Sequence, residues 1–176
     1  MQSIRLRGFC GPRLRRTVEC VTSSFAGIPT PRTPLSEDQV LVTGDIADDW
    51  VFRTSHLDAH AREPVNVQYR TTRVREVHQV RGVPLHEVLA KVTLRTSEGS
   101  KMDRLSFVVV ASSADGYRVL LSWAEVDPEF GACSAMLATR YNGRQLTRPT
   151  LVTPQDGRAS RYVRDVARLE ITRFGI

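Results

Sequence analysis

The chain has 176 residues, 41% of them hydrophobic, enough apolar matter for one core. No run approaches the roughly 20 apolar residues that a bilayer-crossing helix needs, so a soluble protein is expected. The net charge of +6 is local: Arg5, Arg7, Arg13, Arg15 and Arg16 stand in an acid-free start, leaving 20 basic residues against 19 acidic ones in the rest, which gives no basic footprint for nucleic acid.

Residues 1–36 are Arg-rich and then rich in Gly, Pro, Ser and Thr, with no sustained period. They are expected to be a flexible arm or an over-long start to the reading frame. An Arg-rich, acid-poor composition is also shared by organelle-targeting segments, whereas a secretory signal would need an apolar run that is missing. Cys10, Cys20 and Cys133 are odd in number and without C-x-x-C spacing, which fits a reduced, cytoplasmic setting rather than a disulfide framework or a thiolate zinc site.

From Gln39 the pattern becomes regular. Val40–Gly44 reads as a strand ending in a turn and Asp49–Arg53 as the next, with Thr54-Ser55 able to cap a short helix through Leu57. Val65, Val67 and Tyr69 alternate with polar residues, as a half-buried strand does, and Val74–Val80 is expected to pair with it across Thr71-Thr72. Pro84 suits the first position of a helix whose Leu85, Val88, Leu89 and Val92 fall on one face. Phe107–Ala111 is long enough for a buried strand, Asp115-Gly116 tolerates a tight hairpin, and Tyr117–Leu121 returns. Ser122 and Glu125 have the spacing of a capping box. This hairpin is expected at the centre of the core.

Asn142-Gly143 is a second hairpin signal, between Met136–Tyr141 and Arg144–Leu146. Thr150–Thr153 reads as a short strand, and Arg161–Arg173 as a last one in which Leu169, Ile171 and Arg173 alternate with their neighbours. Many strands, few short helices and no β-α-β rhythm predict a compact single α+β domain over residues 37–176.

Three groups could carry chemistry. His56 and His60, at i and i+4, would share a helical face and could hold a metal, but no third ligand stands near in sequence; surface histidines are the plainer reading. Asp127 and Glu129 beside Pro128 read as a polar loop before they read as a catalytic pair. No P-loop, G-x-G-x-x-G or G-x-S-x-G is present. Arg158, Arg161 and Arg164 lie near a Gly-containing turn. Guanidinium groups there could fork onto phosphate oxygens, or could simply guard a solvated strand edge.

Five segments, VLVTGDIA (Val40–Ala47), RGVPLHEVLAKV (Arg81–Val92), VVVASSADGYRVLLSWAEVDPEFG (Val108–Gly131), MLATRYNGRQL (Met136–Leu146) and RYVRDVARLEI (Arg161–Ile171), occur in this order. Together they resemble the molybdopterin-binding domain of the sulfite oxidase type of oxidoreductases, especially its short stand-alone bacterial members, over roughly residues 38–172. The resemblance implies a compact α+β fold that holds a molybdenum cofactor through its pterin and phosphate, with one cysteine thiolate on the metal for oxygen-atom transfer. Tyr69 stands where that cysteine aligns, Arg73 matches a family arginine, and Arg161 and Arg164 match basic positions facing the cofactor phosphate. None of the three cysteines falls in a matching place, and Asp165 replaces the tryptophan of the final run.

The resemblance therefore implies a scaffold that binds a pterin, or another anionic small molecule, beside Tyr69, Arg73, Arg158, Arg161 and Arg164, without the cysteine–molybdenum chemistry. Two other readings stand beside it. One is an active molybdenum-cofactor (molybdopterin) oxidoreductase in which Tyr69 or water replaces the thiolate. The other is a structural or interaction module that shares only the fold.

Overall fold

Three successive apolar residues, Val40-Leu41-Val42, bury strand β1 (Gln39–Gly44) on both faces in the computed structural model, which describes residues 35–97, 99, 102–131 and 133–174. The arm expected over residues 1–36 lies, up to residue 34, outside the described residues. Beyond β1 come β2 (Trp50–Arg53) and helix α1 (Thr54–Ala59), then β3 (Val65–Arg70), β4 (Arg75–Pro84) and helix α2 (Leu85–Val88). The second half holds β5 (Phe107–Ser113), β6 (Arg118–Ser122), helix α3 (Trp123–Val126), β7 (Met136–Tyr141), β8 (Arg144–Val152) and β9 (Val166–Arg173).

Two sheets result, and the chain is an α+β domain. One has the order β2-β1-β9-β5-β6, mixed because β1 runs parallel to β9 while the other neighbours are antiparallel. The other is an antiparallel sheet, β3-β4-β7-β8. The expected hairpin forms, and β5 contributes the buried Phe107, Val109 and Ala111, but the middle strand of the sheet is β9 and the hairpin's second strand, β6, is an edge. Gly116 takes the left-handed φ of 94° that its turn requires. Ser122 and Glu125 close both halves of the capping box on α3.

Two glycines let backbones approach where a side chain could not fit. A Cβ on Gly44, whose φ is already +114°, would stand 2.0 Å from the Ile171 carbonyl oxygen of β9. One on Gly82 would stand 2.0 Å from the Leu137 oxygen, at the point where the β4–β7 register slips.

The structure corrects five local expectations. Pro84 does not open the helix; it ends β4 opposite Met136, and the Leu85 amide still donates to Ala135 O at 2.8 Å, so the helix starts one residue later. That helix is only α2 and a 3₁₀ turn (Leu89–Lys91), because Val92 turns to extended backbone at φ −73° and ψ 123°, after which Thr93 O accepts from the Ala47 amide. Thr54 lies inside α1 and spends its hydroxyl on Asp38 O rather than on a cap. Thr150 to Val152 is the end of the long β8, and the last strand begins at Val166, since Asp165 has a φ of 49° that no strand residue adopts.

A large apolar cluster, built on β1, β5 and β9, fills most of the interior. A smaller one, Val67, Val80, Met136, Ala138 and Val152, lies on one face of the four-stranded sheet, with Tyr141 and Tyr162 packed against it. That second face positions the site.

Candidate functional site

Strand alternation puts Tyr69 on the same face of β3 as Val67, and the β3–β4 register sets it opposite Glu76. Its hydroxyl donates to Glu76 Oε2 at 3.1 Å and lies 3.3 Å from the Tyr141 hydroxyl. The Tyr69 ring stacks on His78 at 5.4 Å and meets the Tyr162 ring edge-on at 5.3 Å. Asn142, in the left-handed region at φ 49°, accepts from the Gln79 amide and donates from Nδ2 to His78 Nδ1 at 3.0 Å. That bond leaves the other imidazole nitrogen as the donor, 2.9 Å from Glu76 Oε2.

Two donors thus converge on one carboxylate oxygen. The His78 bond, then the Tyr69 bond, with the Arg164 charge as a smaller contribution, holds Glu76 below the usual carboxylate range. Burial, reinforced by the Tyr141 bond, pushes the Tyr69 hydroxyl well above the ordinary phenol range. Burial likewise pushes Tyr162 up to about 12.

The second wall comes from the segment before β9. Val163 is fully buried and exchanges two backbone hydrogen bonds with Leu151 of β8, at 2.8 and 3.1 Å. With Val163 pointing into the main core, its neighbours Tyr162 and Arg164 face the opposite way. They line a cavity of about 400 Å³ together with Tyr69, Tyr141, Arg144 and Asp165. Tyr162 presents a buried hydroxyl with no hydrogen-bond partner. Neither Arg144 nor Arg164 is paired with a carboxylate among the described residues. The arrangement is an aromatic chamber with cationic groups on its wall, able to take a flat ring and an anion together.

The structure brings Tyr69 and Arg164 to one cavity and sets the other sequence-derived candidates elsewhere. Arg161 spends Nε and Nη2 on Asp156 and Nη1 on Glu125 Oε1. Arg73 is exposed in the turn after β3, where its amide donates to Thr71 Oγ1. Arg158 is exposed just before a 3₁₀ turn (Ala159–Arg161) and does not line the cavity. Sequence reasoning missed Tyr141, Arg144 and Tyr162. The only signals available were that Tyr141 and Arg144 flank Asn142-Gly143, and that Tyr162 lies between two arginines.

The remaining groups lie away from this cavity. His60 Nδ1 donates to the His56 carbonyl, Asp58 turns to Arg140 and Thr139, and the described residues hold no cluster of three or more metal-ligating side chains. Arg104 pairs with both Asp127 and Glu129. Cys10 and Cys20 lie outside the described residues. Cys133 packs against the main core, its amide on Glu125 O, and does not line the cavity.

A thiolate-bound molybdenum does not fit this donor set. No described thiol lines the cavity, and Tyr69 would have to ionise against its burial and against Glu76.

No protein family matches the sequence, and no curated protein does. Among solved structures the chain is similar in fold to the sulfane dehydrogenase SoxCD of Paracoccus pantotrophus, with a TM-score of 0.58 and 18% sequence identity. The match covers 80% of this chain and 40% of that one, so this chain spans well under half of that protein's length.

Proposed function

We propose that the chain is a binding module for a planar, anionic heterocycle, working without thiolate–molybdenum chemistry. One observation carries this reading: Arg144 and Arg164, free of carboxylate partners among the described residues, share a cavity with Tyr69, Tyr141 and Tyr162. Three phenol rings supply stacking surface, and the guanidinium groups supply charge and paired donors for a phosphate or carboxylate. A pterin phosphate is the member of this class favoured by the fold likeness to a redox enzyme and by the sequence resemblance to molybdopterin-binding domains.

Isothermal titration with a pterin monophosphate tests it. Saturable binding is expected, weakened about tenfold or more in Arg164→Ala, which removes a charge-assisted contact. Absence of saturable binding to the folded protein overturns the reading. So does an affinity unchanged in the Arg144→Ala/Arg164→Ala double variant.

A further inference from the structure

Tyr162 and Arg164 line two cavities, not one. Sharing these two residues with the aromatic chamber is a smaller cavity of about 170 Å³ whose other walls are Ser113, Asp115 and Tyr117, from the exposed tip of the β5–β6 hairpin. The two are tied together by backbone: the Ala114 amide donates to Asp165 O at 3.1 Å, and the Tyr117 hydroxyl donates to Ser160 O at 2.5 Å. The chambers therefore keep a fixed relation, with Arg164 between them.

Their charge balance differs. The large chamber sets Arg144 and Arg164 against one acid, Asp165, among three tyrosines, while the small one sets Asp115 against the shared Arg164. Asp115 is held below its usual range by the Ser113 hydroxyl first and the Tyr117 amide next. Both of those bonds reach Oδ1, which leaves Oδ2 without a donor among the described residues. An ionised carboxylate with an open oxygen repels phosphate and attracts hydroxyl or amino donors. Its open oxygen can accept from a sugar hydroxyl.

We infer, resting on the reading of the large chamber given above, that the ligand is a two-part, nucleotide-like molecule. Its ring sits among Tyr69, Tyr141 and Tyr162, its phosphate sits against Arg164, and a hydroxyl-bearing tail beyond the phosphate reaches Asp115. The hairpin tip is then part of the binding site, and Asp115 is its specificity residue.

The wild-type protein alone can test this, by titration with AMP and with ADP-ribose in mildly alkaline buffer. Both offer an adenine ring and a phosphate with similar total charge, and only ADP-ribose continues into a further sugar. ADP-ribose is expected to bind about tenfold more tightly. Asp115→Asn, which keeps the oxygen that accepts from Ser113 and Tyr117, should erase that difference. Equal affinity of the wild type for the two ligands overturns the inference while sparing the large-chamber reading. Failure of both nucleotides alongside saturable pterin phosphate binding also overturns it alone, and failure of all three removes both.

Discussion

Arg161 grips Asp156 with two prongs, Nε donating to Oδ2 at 2.8 Å and Nη2 to Oδ1 at 2.7 Å. Its third nitrogen, Nη1, reaches Glu125 Oε1 at 2.9 Å, so one guanidinium pins the segment before β9 to the capped start of α3. The ion pairs make Arg161 a brace that holds Tyr162 and Arg164 in place, with few donors left for a ligand. Arg161→Ala should cost about 1–2 kcal/mol, the lower part of the range for charged hydrogen bonds because the side chain is 33% exposed. That corresponds to a fall of roughly 3–6 °C in the midpoint of thermal unfolding. A variant of unchanged midpoint that lost pterin phosphate binding would instead put Arg161 on the ligand.

The same pairs set the acid limit of the fold. Asp156 is lowered chiefly by Arg161, and Asp58 by the Arg140 bond and then by Thr139. A carboxylate depressed in the folded state adds stability above its unfolded value, near pH 4, and loses it as the pH falls through the folded one. Stability in urea should therefore be flat from neutrality to about pH 5 and decline steeply below about pH 4. Asp58→Asn should lower the plateau and make the acid decline shallower. A decline equally steep in the variant would place the acid sensitivity elsewhere.

What the sequence made legible was local. Asp115-Gly116 and Asn142-Gly143 specify their hairpins through φ values that few residues adopt, and Ser122 with Glu125 specifies a cap over three positions. The alternation that buries Leu169 and Ile171 is local too. What stayed hidden depends on partners far along the chain. Leu41 pairs with Arg168 in a parallel ladder, and Glu125, read as a cap, also holds Arg161. The arginines near Gly157 could not be sorted by spacing, since what separates Arg161 from Arg164 is its ion pairs with Glu125 and Asp156, one of them 36 residues away in sequence. Tyr141 and Tyr162 reach one cavity because the four-stranded sheet and the segment before β9 converge there, which no window of sequence contains.

Gly82 is a sharper test of the sheet than any core leucine. Its α-carbon hydrogen faces the β7 backbone, and a methyl group would overlap Leu137 O and the Ala138 α-carbon, at 2.0 and 2.6 Å. Backbone atoms cannot rotate aside as a side chain can. Gly82→Ala is expected to cost about 3 kcal/mol or more, or to prevent folding altogether. Gly143→Ala meets no atom within 4 Å and strains only its φ of 76°, a loss of about 1–2 kcal/mol. Midpoints of urea unfolding for the two variants rank them directly. Equal losses would mean that β4 and β7 can part at Gly82 without penalty.

The alkaline limit belongs to the aromatic chamber. Of four tyrosines, Tyr69 is raised by burial and its bond to Tyr141, and Tyr162 is raised to about 12 by burial and by the neighbouring Tyr141 and Asp156. A phenol raised in the folded state adds stability below its unfolded value, near pH 10, and loses it as the pH climbs through the folded one. Phenolate absorbance should therefore rise in two stages, with the late stage accompanied by loss of the far-ultraviolet circular dichroism of the fold. Tyr69→Phe removes the bond to Glu76 at a cost of about 0.5–1.5 kcal/mol and should shrink the late stage by one phenol. The same variant should leave the metal content of protein made in a molybdenum-cofactor-producing host unchanged, because the Tyr69 hydroxyl is already bonded to Glu76 and Tyr141. A molybdenum content that is stoichiometric in the wild type and lost in Tyr69→Phe would restore the phenolate-bound metal and reverse the argument.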